Sequence, residues 1–274
     1  MKAWRALGAE FQKVLTTRMW WLLAILLAVY VAFMAGGLGA LFTWLAANPQ
    51  DAAESGGAPL PSMDLAPLLY SFASTIGYVF PLLLGALAVT GEFRHKTLTP
   101  TFLAEPNRSL VLAAKFVSGL IVGALLGVIA YAVSVGSGAA ALAGFGLETS
   151  LDSSDTWAVI GRGVLAMALW GGIGVGLGVL IPNQVAAVVI VIAFTQFLEP
   201  ILRFAASLNE VTANIGRFLP GAASDALVGA SFYSIASFGG VELLEWWQGG
   251  LVLFGLAVVL AVIGGATTWR RDIS

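Results

Sequence analysis

Six apolar runs of about twenty residues each divide this chain, and no other feature restricts its fold as strongly. A helix needs about 20 apolar residues to cross a hydrocarbon core about 30 Å thick, because each residue adds about 1.5 Å. Runs of that kind lie at about 19–42, 65–90, 111–135, 157–180, 185–202 and 247–268. Only 10% of the 274 residues are charged and the mean hydropathy is +0.92, whereas a soluble domain carries about 25% charged residues. The expected fold is therefore all-α: one polytopic membrane domain, 1–274, with six transmembrane helices.

The segments between and before the runs predict smaller elements. Residues 1–18 are too long and polar for a cleavable leader. Trp4, Leu7, Phe11, Val14 and Leu15 recur at helical spacing, with Lys2, Arg5, Gln12 and Lys13 on other faces. That pattern predicts an amphipathic helix in the membrane interface; a solvated extension would leave Trp4 and Phe11 in water. Residues 43–64 hold Pro49, Gly56, Pro59 and Pro61, which is turn chemistry, and Pro81 is a candidate kink in the second run. The pieces within 204–245 are too short or too polar to span, and they predict helices on or in the outer leaflet.

Six spans place both termini on one side, and charge chooses the side. Ten basic residues, among them Lys2, Arg5, Lys13, Arg18, Arg94, Lys96 and Arg270, fall on the terminal side against Glu10, Glu92, Glu105 and Asp272. The opposite side holds Arg162, Arg203 and Arg217 against eleven acids. The positive-inside rule makes the termini cytoplasmic in a cell-membrane protein.

The charge is also concentrated along the chain. Between Gly91 and Lys115 the sequence reads GEFRHKTLTPTFLAEPNRSLVLAAK, with Glu92, Arg94, His95, Lys96, Glu105, Arg108 and Lys115 in one stretch. So polar a loop in so apolar a chain is suited to meeting a water-soluble partner. Thr97 to Leu103 can form a short helix capped by Thr99, with Pro100 first and Phe102 and Leu103 on one apolar face. Those two are the expected anchors, since buried aromatic and aliphatic groups supply most interface energy. The basic residues orient a partner or simply hold the loop at anionic headgroups, with Lys115 snorkelling from a helix start. His95 reads as a solvated loop residue.

Several chemistries are excluded. There is no cysteine and one histidine, so thiolate sites and multi-imidazole zinc sites are impossible. No G-x-x-x-x-G-K-[ST] and no H-E-x-x-H occurs. Neither a catalytic nor a metal residue is assigned, and nothing points to nucleic acid. Gly172, Gly174, Gly176 and Gly178 have small-xxx-small spacing, which favours close helix packing over phosphate binding. Glu199 and Arg203 stand four apart on one helix face and form a candidate outer gate or, alternatively, a substrate contact. Arg162 either snorkels outward or answers an outer acid.

Taken together, the N-terminal amphipathic helix, the six spans, the loop after span two and the Pro-containing RFLPGAASDAL before span six resemble the membrane (permease) subunit of type-2 ATP-binding-cassette exporters. The resemblance covers nearly the whole chain and is most specific at Glu92, Arg94, Lys96, Thr97, Phe102, Leu103, Pro106, Arg108 and Lys115; Pro100 departs from it. It implies that 91–110 carries a coupling helix that docks a separate ATPase subunit through Arg94, Lys96, Thr97, Phe102, Leu103 and Arg108. It implies that Trp4, Leu7 and Phe11 belong to a bracing interface helix, and that ATP and Mg²⁺ sit on the partner. A second permease copy or a related permease would complete the complex within membrane lipid. The chain itself would be no enzyme. A gradient-driven secondary transporter and a non-transporting membrane anchor are the alternative functions.

Overall fold

Each apolar run is helical, and polar side chains set where the helices begin. The computed structural model describes residues 2–50, 64–206, 208–230 and 244–269; among them every regular element is a helix. The elements are α1 (Lys2–Thr16), α2 (Met19–Ala47), α3 (Leu65–Thr75), α4 (Val79–Arg94), α5 (Leu98–Ala104), α6 (Arg108–Gly144), α7 (Ser154–Leu180), α8 (Gln184–Ala193), α9 (Glu199–Ala206), α10 (Glu210–Gly216), α11 (Pro220–Val228) and α12 (Trp246–Thr267). Asp64, Asn107, Ser153 and Asn183 accept backbone N–H bonds at the starts of α3, α6, α7 and α8. These caps satisfy donors that a helix leaves unpaired at its first turn. The predicted turn at 51–63, part of the predicted outer region (231–243) and Arg270 and Arg271 lie outside the described residues.

Among the described residues six stretches are long and apolar enough to cross a membrane: Met19–Ala47, Leu65–Arg94, Arg108–Gly144, Ser154–Leu180, Gln184–Ala206 and Trp246–Thr267. The chain is a multi-pass membrane protein. Span three runs well past the expected 135, because the Ala, Ser and Gly residues that follow contain no proline to stop a helix.

Two spans are interrupted, each just ahead of a proline. Span two breaks at Ile76–Tyr78 between α3 and α4, one turn before Pro81. Pro81 has no N–H to give the Gly77 carbonyl, which accepts from Phe80 N instead at 3.1 Å. Span five contains a π-helical turn, Phe194–Leu198, between α8 and α9. There Glu199 N bonds to Phe194 O, five residues back. Pro200 then has no hydrogen to offer Thr195 O, the next acceptor in that wider ladder. The Tyr78 hydroxyl fills the vacancy, donating to Thr195 O at 3.2 Å. The two irregularities thus face each other across the bundle.

At the centre lies α7, the most buried span, whose glycines admit the backbones of α4, α6 and α12. A Cβ on Gly174 would run into the carbonyl of Leu82, and one on Gly176 would meet Ala257 and Leu260. The glycine face is used up within the chain itself, as the small-xxx-small spacing predicts. Trp170, Leu82, Leu227 and Leu253 fill one core around it, and Leu27, Leu126, Tyr131 and Met167 another.

Candidate functional site

The polar island folds back on one end of the bundle. At the end of α4, Thr97 N bonds to Glu92 O at 3.0 Å and Lys96 N to Phe93 O at 3.3 Å, the bond pair of a Schellman ending. Such an ending needs a left-handed residue; Lys96 fills it at φ 55°, at a cost of about 1 kcal/mol for a non-glycine residue. The turn feeds directly into α5.

That helix starts earlier than the sequence suggests. Thr97 rather than Thr99 precedes it, the Thr97 side chain makes no cap bond, and Pro100 is its third residue. Any first-turn position tolerates proline, since those N–H groups have no helical acceptor. Leu98 is fully buried and pins the helix down.

Phe102 and Leu103 do not share a face. Neighbours on a helix point about 100° apart, so one turns inward and the other outward. Phe102 packs edge-on to Trp269 with ring centroids 5.3 Å apart, and the Arg108 guanidinium lies 4.9 Å from its ring centre. Trp269 is buried, donates its Nε1–H to Arg108 O at 2.9 Å and accepts from Arg108 at 3.2 Å. It is therefore a bolt between the end of span six and the island. Leu103, by contrast, is 80% exposed. Lys96 and Thr97 are also exposed, and Arg94 donates to Gln184 Oε1 at 3.3 Å.

Behind α5 lies a square of charges. Lys115 Nζ is 2.5 Å from Glu10 Oε2 and 2.7 Å from Glu92 Oε2. Lys13 Nζ is 2.7 Å from Glu10 Oε1 and 3.1 Å from Glu92 Oε1, and donates to Thr101 Oγ1 at 3.2 Å. Two cations alternate with two anions, tying α1, α4, α5 and α6 together. Glu92 ends α4, where the helix dipole opposes an anion, so its two lysines are what hold it there. Burial works to lower the pKa of Lys13, but its hydrogen bond to Glu10 and the charges of Glu92 and Glu10 outweigh this and leave it raised. Lys115 does not snorkel, because two buried carboxylates hold its ammonium.

Glu10 is not among the residues that the sequence singles out for this site. It lies three residues after Leu7 and four before Val14, inside the apolar stripe of α1, and that misplaced acid was the available signal. Phe11 packs against the core and Leu7 is half-buried, while Trp4 is fully outward. A cavity of about 630 Å³ takes in all four charges together with Pro81, Leu84, Val122 and Val175 on apolar walls.

A second polar cluster occupies the opposite half of the bundle. Arg203 forms an ion pair with Asp225 of α11, and the Gly221 N–H donates to Glu199 Oε1. Glu199 and Arg203 thus both reach α11, a partner 22 residues on that their spacing in the sequence could not name. Arg162 stacks over Trp246, 4.9 Å from its ring centre. Among the described residues no group of three or more His, Cys, Asp or Glu side chains could hold a metal ion. The sequence matches no protein-family model and no curated protein.

Proposed function

We propose that this chain is the permease subunit of an ATP-driven exporter resembling the type-2 ATP-binding-cassette transporters, moving a hydrophobic or amphipathic cargo outward across the cell membrane. Its ends and the loop carrying α5 are cytoplasmic on the charge balance. Energy comes from ATP and Mg²⁺ on a separate ATPase subunit, and two permeases form the pathway. The α1 helix is the interface brace, α5 the coupling helix, and α10 and α11 the outer-leaflet helices.

The observation that carries this reading is α5 itself. A seven-residue helix is fixed at one end of the bundle by Leu98, Phe102 and Trp269, while Leu103 stands 80% exposed. An anchored apolar knob is suited to entering a pocket on another protein and transmitting its motion. The cavity beside it, apolar within and charged at Glu10, Lys13, Glu92 and Lys115, suits a cargo with a polar head.

The test is co-purification of the ATPase from native membranes, followed by ATP hydrolysis. Leu103→Asp is expected to abolish stimulated hydrolysis while leaving the thermal midpoint of the chain unchanged. Phe102→Ala is expected to lower that midpoint, since it empties the contact with Trp269. Full stimulation by a folded Leu103→Asp chain would overturn the docking role.

One observation favours a second reading, gradient-driven transport: the broken span two and the π-turn of span five meet beside Glu199. Broken helices lining an acidic group are the usual architecture of ion-coupled sites. Uptake into vesicles driven by an ion gradient without ATP would establish it.

A further inference from the structure

The meeting point of the two helix irregularities is a small pocket of about 90 Å³. Taking about 30 Å³ per liquid water, it has room for about three waters or one small ion with its shell. Ile76 and Tyr78 of the span-two break line it on one side, and Thr195 and Gln196 of the π-turn on the other. Glu199, Arg203 and Asp225 supply its charges.

Those charges do not balance. Among the described residues Arg203 is ion-paired with Asp225, and the Glu199 carboxylate is a second acid beside that one arginine. Its Oε1 accepts from Gly221 N, but Oε2 is buried without a hydrogen-bond partner, and Glu199 as a whole is 1% exposed. A second oxygen, Thr75 Oγ1, is also buried and unpartnered. Thr75 ends α3 immediately before the break and lines the same pocket. Backbone N–H groups of Gly221 and Ala222 and the nearby Arg203 compensate this carboxylate only in part; a buried anion is costly, and the unfilled oxygen is placed to receive a positive charge.

We propose that this pocket binds one monovalent cation at the free carboxylate oxygen of Glu199: either Na⁺, with the Thr75 hydroxyl as a second ligand, or a proton on the carboxylate itself. A divalent ion is disfavoured, because sites for calcium gather several carboxylates and none of that kind exists among the described residues. An anion is disfavoured by the surplus negative charge. Among the described residues, the other charged or titratable groups lining the pocket with Glu199 are Arg203 on its own helix, Asp225 on α11, Tyr30 on α2 and Tyr78 at the break. The site is independent of what drives transport, so it stands or falls separately from the ATPase reading.

The experiment uses the purified full chain in detergent. Its thermal midpoint is followed as NaCl replaces choline chloride at constant ionic strength, at about pH 8 and about pH 5.5. A saturable rise specific to Na⁺ at the higher pH, matched by stoichiometric binding of radioactive sodium, identifies sodium. A rise on acidification in choline alone, with no sodium effect, identifies the proton. Glu199→Gln is expected to abolish whichever response the native chain gives. Thr75→Val is expected to weaken sodium binding about tenfold, by loss of one oxygen ligand, while leaving a proton response in place. The radioactive-sodium assay on the native chain and the Thr75→Val variant keep the test decisive if Glu199→Gln does not fold. Absence of both responses, or an undiminished response in a folded Glu199→Gln chain, would overturn the proposal.

Discussion

The two charged clusters of this molecule are built from the same side-chain chemistry yet differ in balance. In the square at the α1 end, Glu10 and Glu92 face Lys13 and Lys115, and each carboxylate is ion-paired to both lysines. In the opposite cluster, among the described residues, two acids face one arginine, and a carboxylate oxygen of Glu199 has no hydrogen bond. A closed square leaves no charge unpaired and holds helices together. An open one has a charge to give.

The largest effect is expected at the closed square. Lys115→Met removes a side chain only 4% exposed and leaves two buried carboxylates with the half-exposed Lys13 alone between them; the expected loss is about 3 kcal/mol or more. Thermal unfolding in detergent measures it, and proteolysis of 1–16 reports release of α1. Most of that loss should return in Glu10→Gln with Lys115→Gln, where the charges are removed as a pair. A smaller penalty for Lys115→Met than for any change at the other cluster would break the comparison.

An intermediate effect belongs to the open cluster. Arg203→Met removes the guanidinium paired with Asp225, and a loss of about 2 kcal/mol is expected, the scale of a hydrogen bond to a charged group. Adding Asp225→Leu should recover stability in the same unfolding assay, because the buried acid that faced Arg203 is gone. If the double variant remains as unstable as the single one, the pair is not what joins α9 to α11.

The smallest effect is a pH dependence at Lys13. Its pKa is raised above 10.5, so its stabilising contribution is intact below that pH and is lost as the pH climbs past the raised value. Lys13 is partly exposed, which keeps the contribution under about 1 kcal/mol after solvent screening. An alkaline unfolding titration should show a step that Lys13→Gln removes. A step at acid pH alone would contradict the assignment.

Much of the architecture was legible because lipid permits so few solutions. The first and last spans, expected at about 19–42 and 247–268, followed from run length alone, the first running on to Ala47. The glycines of α7 announced close packing, and Glu199 and Arg203 announced a polar site. Less legible were the residues whose roles depend on a partner far along the chain. Phe102 and Leu103 look equivalent in sequence; Trp269, 166 positions after Leu103, draws one inward and leaves the other out. Lys115 looked like a headgroup contact until Glu10, 105 positions earlier, was beside it.

By itself, then, the sequence determined that this chain crosses a membrane as six helices, where polar loops lie, and which chemistries it lacks. Hydrophobic length and charge distribution are local and additive, so they can be read along a line. Tertiary structure alone decided that the lysines and glutamates close a square, that Leu103 is the outward knob, and that Glu199 opens on the pocket where two broken helices meet. Pairing energies fall off within a few ångströms, and only the fold brings residues so distant in sequence that close.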